Sequence, residues 1–232
     1  MRLIFVRHGE PDYKNDCLTE NGREQAQATA RRLKGEGIKA IYSSPMGRAR
    51  ETASYTAREY GLDIRVLDFM HEIDWGDRPG STEKLEYDGH PWTLAYRLLT
   101  EQPNCAWNSR WMDHPYFRDN VCMDYYEKVS NGIDGFLAEY GLERHKGLYR
   151  CGKACDDTIA LFAHGGSGAI LFSHLLNLPF PFVLTSMSYG VCSVSAVEFK
   201  NQDGDVIVPR LELFNDMGHI DRVKLENLCF KK

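Results

Sequence analysis

The chain has 232 residues, 43% of them hydrophobic, enough for one well-cored domain with room for an insertion. A formal net charge of −5 and a pI near 5.9 argue against a nucleic-acid-binding face, which carries a basic excess. No apolar run approaches membrane-spanning length and nothing resembles a signal peptide, so the expected compartment is the cytoplasm, with seven scattered cysteines as free thiols.

Arg2 to Val6 is a continuous apolar run after its first residue, as expected for a strand buried on both faces, and it stops at Arg7-His8-Gly9-Glu10. A polar loop from Pro11 to Cys17 leads to a helix with Thr19 as N-cap and Glu20 in the first turn. Ala26, Ala30 and Leu33 give that helix its packed face, and Gly35 and Gly37 mark its stop. Ala40-Ile41-Tyr42 reads as a strand ending at Ser43-Ser44-Pro45. Ser44 suits the N-cap of the next helix and Pro45 its first position. That helix carries Met46, Ala49, Ala53, Ala57 and Tyr60 on one face and ends at Gly61. Ile64 to Leu67 is a further strand.

From Met70 to about Asp157 the pattern changes. Asp74 to Gly80 reads as loop, Pro91 to about Gln102 as helix, and Val121 to Tyr140 as helix stopped by Gly141. Trp92, Trp107, Trp111, Tyr116 and Phe117 make the region aromatic-rich. Residues 79–157 are expected to form a cap over the site, with a second piece of core as the equally weighted alternative. Thr158 to Ala163 is a second apolar strand, and it too ends on a histidine, His164-Gly165-Gly166. Helix over Ser167–Leu178, strand over Val191–Phe199, an Asp203-Gly204 hairpin turn and a returning strand over Val206–Phe214 complete the pattern, and the tail from Gly218 gives no signal. Strands alternating with helices predict a single domain over 1–232. Its expected architecture is a three-layer α/β/α sandwich around a mostly parallel sheet.

In open α/β sheets the ligand site lies at the carboxyl ends of the strands. There the sequence places Arg7 and His8, Ser43 and Ser44 with Arg48 a turn into the helix, and His164 with Gly165 at a helix start. Two guanidiniums, two imidazoles and a helix N-terminus suit a phosphate dianion. A neutral imidazole could attack phosphorus, and the leaving oxygen then needs a proton. Glu72, in the loop beyond the strand at 64–67, is the candidate acid, with Asp74 and Asp77 as alternatives. A solvated loop carboxylate is the plainer account of Glu72.

The segments Arg7-His8-Gly9-Glu10, Leu18-Thr19-x-x-Gly22-x-x-Gln25-Ala26, Ser43-Ser44-Pro45-Met46-x-Arg48-Ala49-x-x-Thr52-Ala53 and His164-Gly165 come in one order. In that series the chain resembles the histidine phosphatase superfamily, in its phosphoglycerate-mutase-like, two-histidine branch. The resemblance covers most of the chain outside 79–157. It implies that His8 becomes phosphorylated, that Arg7, Arg48 and His164 hold the phosphoryl group, that Glu72 donates the proton, and that neither metal nor cofactor is needed. The chain departs from the family in Gly166-Ser167-Gly168-Ala169, where an Arg often follows, and in lacking a Gly-Glu-Ser stretch before the penultimate helix.

Glu10, Tyr13, Asn15 and Trp75 are candidate substrate contacts, although turn chemistry accounts for Asn15 and packing for Trp75 equally well. Gly22 is expected at a close contact. His90 and His114 read as packing or surface residues. Cys151 and Cys155 with His145 make only a weak zinc pattern. The expected activity is hydrolysis of a small phosphorylated metabolite. A phosphoglycerate-mutase-type isomerase is the alternative, and a silent phospho-ligand-binding module a weaker one. The expected general acid sits under two opposing influences: the nearby cations favour its ionised form, and a bound phosphate dianion holds its proton on.

Overall fold

The computed structural model describes residues 1–220 except Thr82 and Asn201; the tail beyond Ile220 lies outside the described residues. In chain order the elements are β1 (Arg2–Arg7), β2 (Pro11–Asp12), β3 (Cys17–Leu18), α1 (Glu20–Leu33), β4 (Ile38–Ser43), α2 (Gly47–Tyr60) and β5 (Ile64–Val66). The intervening region holds α3 (Pro91–Glu101), α4 (Pro103–Ala106), α5 (Pro115–Arg118) and α6 (Cys122–Glu139). Then come β6 (Leu142–His145), β7 (Leu148–Cys151), β8 (Thr158–Ala163), α7 (Gly165–Leu176), α8 (Phe180–Ser186), β9 (Val194–Glu198), β10 (Val206–Ile207) and β11 (Arg210–Asp216).

The central sheet has the order β11-β9-β1-β8-β4-β5. β1, β8, β4 and β5 run parallel, and β9 runs antiparallel to both of its neighbours. Alternation along the strands explains why β1 and β8 read as unbroken apolar runs. Ile4, Val6, Ala160 and Phe162 join one buried cluster with Leu33, Ala53 and Ala57 of α1 and α2. Leu3, Phe5, Ile159 and Leu161 join another with Ile133, Phe136, Ile170 and Phe172 of α6 and α7. Helices thus cover both faces, and the fold is a three-layer α/β/α sandwich around a mixed, largely parallel sheet. Each fully buried Leu, Ile or Phe contributes about 1.5–3 kcal/mol, so these rows carry much of the stability. Trp111 and Phe117 belong to the same cluster as Phe5, Leu161 and Phe180, so these aromatics of the inserted region are continuous with the core.

Several local expectations need correction. α2 starts at Gly47 with Met46 at the cap, and the Ser44 hydroxyl accepts the Met46 N–H at 3.2 Å just before it. α7 starts at Gly165, two residues earlier than its apolar pattern suggested. The expected strand over Val206–Phe214 is two strands in two sheets: β10 pairs with β7, and β11 pairs with β9. Pro209 lies between them, and a residue without an N–H breaks a ladder. The hairpin β6–β7 and the short α8 were not anticipated. Gly22 lies in the first turn of α1, where an added Cβ would sit 2.2 Å from the Glu10 carbonyl oxygen. Only glycine allows the chain after β1 to cross that helix so closely.

Candidate active site

Three adjacent parallel strands deliver the chemistry. Arg7 of β1 is level with Ala163 of β8, and Phe162 of β8 with Ser43 of β4. Strands in register end together, about 4.8 Å apart, so Arg7-His8, His164 and Ser44 emerge side by side. The His8 N–H bonds the Ala163 carbonyl at 2.9 Å, and the Ser44 N–H bonds the Phe162 carbonyl at 2.8 Å. The His8 and His164 ring centroids are 5.1 Å apart. Residues recognised only as motif members brace this corner: the Gly9 N–H donates to Thr52 Oγ1 at 3.0 Å and the Glu10 N–H to Gln25 Oε1 at 2.8 Å.

His8 is 1% exposed, and its Nδ1 lies 2.7 Å from the Gly9 carbonyl oxygen. A carbonyl only accepts, so Nδ1 carries the hydrogen and Nε2 keeps its lone pair. Burial, aided by Arg7 and Arg48 and opposed by the Gly9 carbonyl, pushes the His8 imidazolium down to about 3. His164 Nε2 lies 2.7 Å from Ser44 Oγ, which also accepts the Met46 N–H at 3.2 Å. With the Ser44 hydroxyl donating to Nε2, the neutral ring carries its hydrogen on Nδ1. Burial first, then His8 and Arg48, hold His164 far below its ordinary value.

Both guanidiniums are held at one side. Arg7 Nη1 donates to the Tyr189 carbonyl at 2.9 Å, and Arg48 Nη1 pairs with Asp16 Oδ1 at 2.6 Å. Asp16 also accepts the Gly47 N–H at 2.6 Å, at the start of α2. Burial works to raise the Asp16 carboxyl, but Gly47 and Arg48 outweigh it and leave it below the usual range. Among the described residues, Arg7 Nε, Arg48 Nε and His164 Nδ1 are buried nitrogens without a protein partner, and in that tautomer all three are donors. Unpaired buried donors are uncommon, and three at one strand-end corner call for a shared acceptor.

Glu72 follows the short 3-10 turn Asp68–Met70. Its Oε1 accepts three backbone N–H groups: Ile73 and Gly166 at 2.9 Å, and Ser167 at 3.1 Å. The carboxyl is therefore docked on the N-terminus of α7, beside His164, and it occupies amides that the sequence pattern had offered to phosphate. Burial raises its pKa, against the pull of the Ile73 and Ser167 N–H groups, Arg7 and Arg48. The balance differs from expectation, since burial already favours the protonated acid without a bound dianion. Asp74 accepts the Trp75 N–H and Asp77 the Leu85 N–H, so both alternative acids serve their own loop.

The remaining candidates are scattered around this centre. The Glu10 carboxylate is bonded by Thr19 Oγ1 at 2.9 Å and Asn21 Nδ2 at 2.6 Å, at the start of α1. Asn15 bonds Asp12 within its own turn, as turn chemistry suggested. Tyr13 is exposed, and its ring centroid is 5.5 Å from Arg48 Cζ. Trp75 is 39% exposed and stands edge-on to His90 and Trp92, with centroids 5.3 and 6.0 Å away. Gly165 lies against Arg7, since an added Cβ would be 3.7 Å from its Cζ. Sequence reasoning missed Asp16 and Tyr189. Asp16 is one acid in a polar loop, and its left-handed backbone (φ 47°) is invisible in composition.

The buried neutral imidazoles make stability pH-dependent with a definite sign. His8 has an ordinary value of 6.5 and a folded value near 3, so between these pH values the unfolded chain binds protons that the folded site refuses. Stability is full above about pH 6.5 and is lost as pH falls. Urea midpoints measured between about pH 6.5 and 5, above most carboxylate titrations, should fall with pH, and His8→Gln should flatten that slope. Identical slopes would show that His8 is not held neutral.

The model of the histidine phosphatase superfamily (branch 1) matches residues 3–111. A 2,3-bisphosphoglycerate-dependent phosphoglycerate mutase of Thermoplasma acidophilum is 38% identical over 165 residues, spanning 62% of this chain and 80% of that protein. A probable phosphoglycerate mutase of Salmonella paratyphi A is 24% identical over 237 residues, 98% of this chain and 99% of its own. Among solved structures, a mycobacterial glucosyl-3-phosphoglycerate phosphatase superposes with a TM-score of 0.60 at 25% identity, covering 92% of this chain and 98% of that one. A phosphoserine phosphatase from Entamoeba histolytica superposes with a TM-score of 0.61 at 21% identity, covering 95% and 99%. The two-histidine corner, the fold that builds it and these likenesses agree: the chain belongs to the histidine phosphatase superfamily.

Proposed function

We propose that this protein is a phosphatase that hydrolyses a small phosphomonoester through a phosphohistidine on His8. The observation that carries the reading is the set of three unpartnered buried donors, Arg7 Nε, Arg48 Nε and His164 Nδ1, around an imidazole held neutral. A phosphoryl group would accept from all three, with the Gly165 end of α7 beside it. His8 Nε2 attacks phosphorus, the N–P bond forms and the P–O bond to the leaving group breaks. Glu72 gives its proton to the leaving oxygen. Glu72, now ionised, takes a proton from water as that water attacks phosphorus; the N–P bond breaks, phosphate leaves and His8 is restored. Arg7, Arg48 and His164 stabilise the charge that builds on the equatorial oxygens in both steps.

In this reading the Trp75, His90 and Trp92 cluster caps the leaving group, whereas residues 151–157 lie at the amino ends of β1 and β8, where the Arg2 N–H bonds the Asp157 carbonyl. A mutase would have to hold a carboxylate-bearing intermediate and exclude water, and cationic cap side chains would serve it. Three arginines of the inserted region are engaged locally. Arg97 pairs with Glu86 and with Glu101, Arg118 pairs with Asp119, and Arg110 bonds Asn108. This favours hydrolysis, while the relatives named as mutases keep isomerisation as the second reading. We place the enzyme in the cytoplasm; no described helix is long and apolar enough to cross a membrane. A panel of phosphomonoesters, 3-phosphoglycerate included, separates the readings. Phosphate release faster than isomerisation on every responding substrate is expected, and faster interconversion of the phosphoglycerates would overturn the assignment.

Two guanidiniums supply the charge that Mg²⁺ supplies to many other phosphatases. Full activity should therefore survive excess chelator. Activity lost on chelation and restored by a divalent cation would contradict the mechanism.

A further inference from the structure

Tyr189 is a buried phenol with no part in the chemistry above. Its ring stands edge-on to Phe5, Phe172 and Phe214, with centroids 5.6, 5.7 and 5.8 Å away. Its two polar ends both reach the site. The Tyr189 carbonyl accepts Arg7 Nη1 at 2.9 Å, and its hydroxyl donates to the Gly165 carbonyl at 2.5 Å. That Gly165 carbonyl and the Gly166 N–H belong to one planar peptide unit. The Gly166 N–H donates to Glu72 Oε1 at 2.9 Å. The tyrosine hydroxyl and the acid therefore hold opposite ends of one rigid plate in the first turn of α7.

We propose that Tyr189 is a positioning residue for the proton donor, its hydroxyl fixing the Gly165–Gly166 peptide so that the Gly166 N–H faces Glu72. The inference rests on the reading of Glu72 as the general acid. The hydroxyl also polarises the peptide, which strengthens its N–H as a donor to Glu72 and favours the carboxylate over the acid. The other charged and titratable groups around Glu72 are Arg7 of β1, Arg48 of α2, the imidazole of the adjacent His71, and His8 and His164 at the strand ends. Tyr189→Phe changes none of them, and it leaves the ring packing and the carbonyl bond to Arg7 in place.

The test compares Tyr189→Phe with the unaltered enzyme on an alkyl phosphate and an activated aryl phosphate across pH. The alkyl kcat should fall about tenfold, the rate equivalent of one hydrogen bond, while the aryl kcat stays within about twofold and KM is unchanged for both. The alkaline limb of the alkyl profile should move to higher pH. Site-specific 3-fluorotyrosine at 189, a stronger donor, should move it to lower pH and decides the matter if the phenylalanine variant fails to fold. Equal losses on both substrates, or a limb that moves with neither variant, would overturn the proposal. Glu72→Gln run in parallel keeps the two inferences apart: if it spares alkyl hydrolysis, the reading of Glu72 has failed instead.

Discussion

His8→Ala should abolish turnover of every substrate, with a loss of at least about 10⁴-fold, because His8 Nε2 is the group placed to form the covalent bond. Arg48→Ala and His164→Ala should leave weak residual activity, since each removes one contact to the phosphoryl group and spares the nucleophile. The contrast rests on geometry. His8 Nε2 alone combines a free lone pair with a ring held neutral, whereas His164 spends its Nε2 on Ser44. The alanine variant should still bind phosphate or vanadate through Arg7 and Arg48, so loss of binding by calorimetry would mean that the site had collapsed. Residual turnover in His8→Ala close to that of His164→Ala would assign the attack elsewhere.

Glu72→Gln should damage alkyl phosphate hydrolysis far more than aryl phosphate hydrolysis. An alkoxide is a poor leaving group and needs the proton; an activated phenolate does not. General acid catalysis contributes typically about 10²–10⁴-fold, and the gap between the two substrates should approach that scale. Burial holds the Glu72 proton on above the usual carboxylate range. Alkyl activity should therefore persist through weakly acidic pH and fall as pH rises past the folded value, while aryl activity depends less on pH. Oε1 is engaged by the Ile73, Gly166 and Ser167 N–H groups, which leaves Oε2 to carry the transferable proton. Equal losses on both substrates would make Glu72 a structural cap of α7.

The parts legible in the sequence were those where chemistry interrupts a strong pattern. β1 and β8 are apolar on both faces because helices cover both faces of the sheet, so Arg7-His8 and His164 stood out at their ends. The sheet order that makes β1, β8 and β4 neighbours is a tertiary fact that no local pattern carries. The β6–β7 hairpin escaped notice because each strand has four residues and Leu142-Glu143-Arg144-His145 carries one apolar residue with no alternation. Its tight turn is Lys146-Gly147, both with positive φ, where Asn-Gly is the usual signal. Pro179 and Pro181 bracket the start of α8 and disguised it as a stop, although proline is well suited to a first turn. Asp16 and Tyr189 act on the site through a salt bridge and a peptide plane. Their partners lie 32 residues away for Arg48 and 24 for Gly165, separations at which spacing says nothing.

Brief mixing with substrate labelled at phosphorus, an alkaline quench and localisation of the label test the central claim most directly. The label should appear on His8 as a base-stable, acid-labile phosphoramidate that forms and decays at rates compatible with turnover. Label on serine or cysteine, or its absence during rapid single-turnover hydrolysis, would contradict attack by His8.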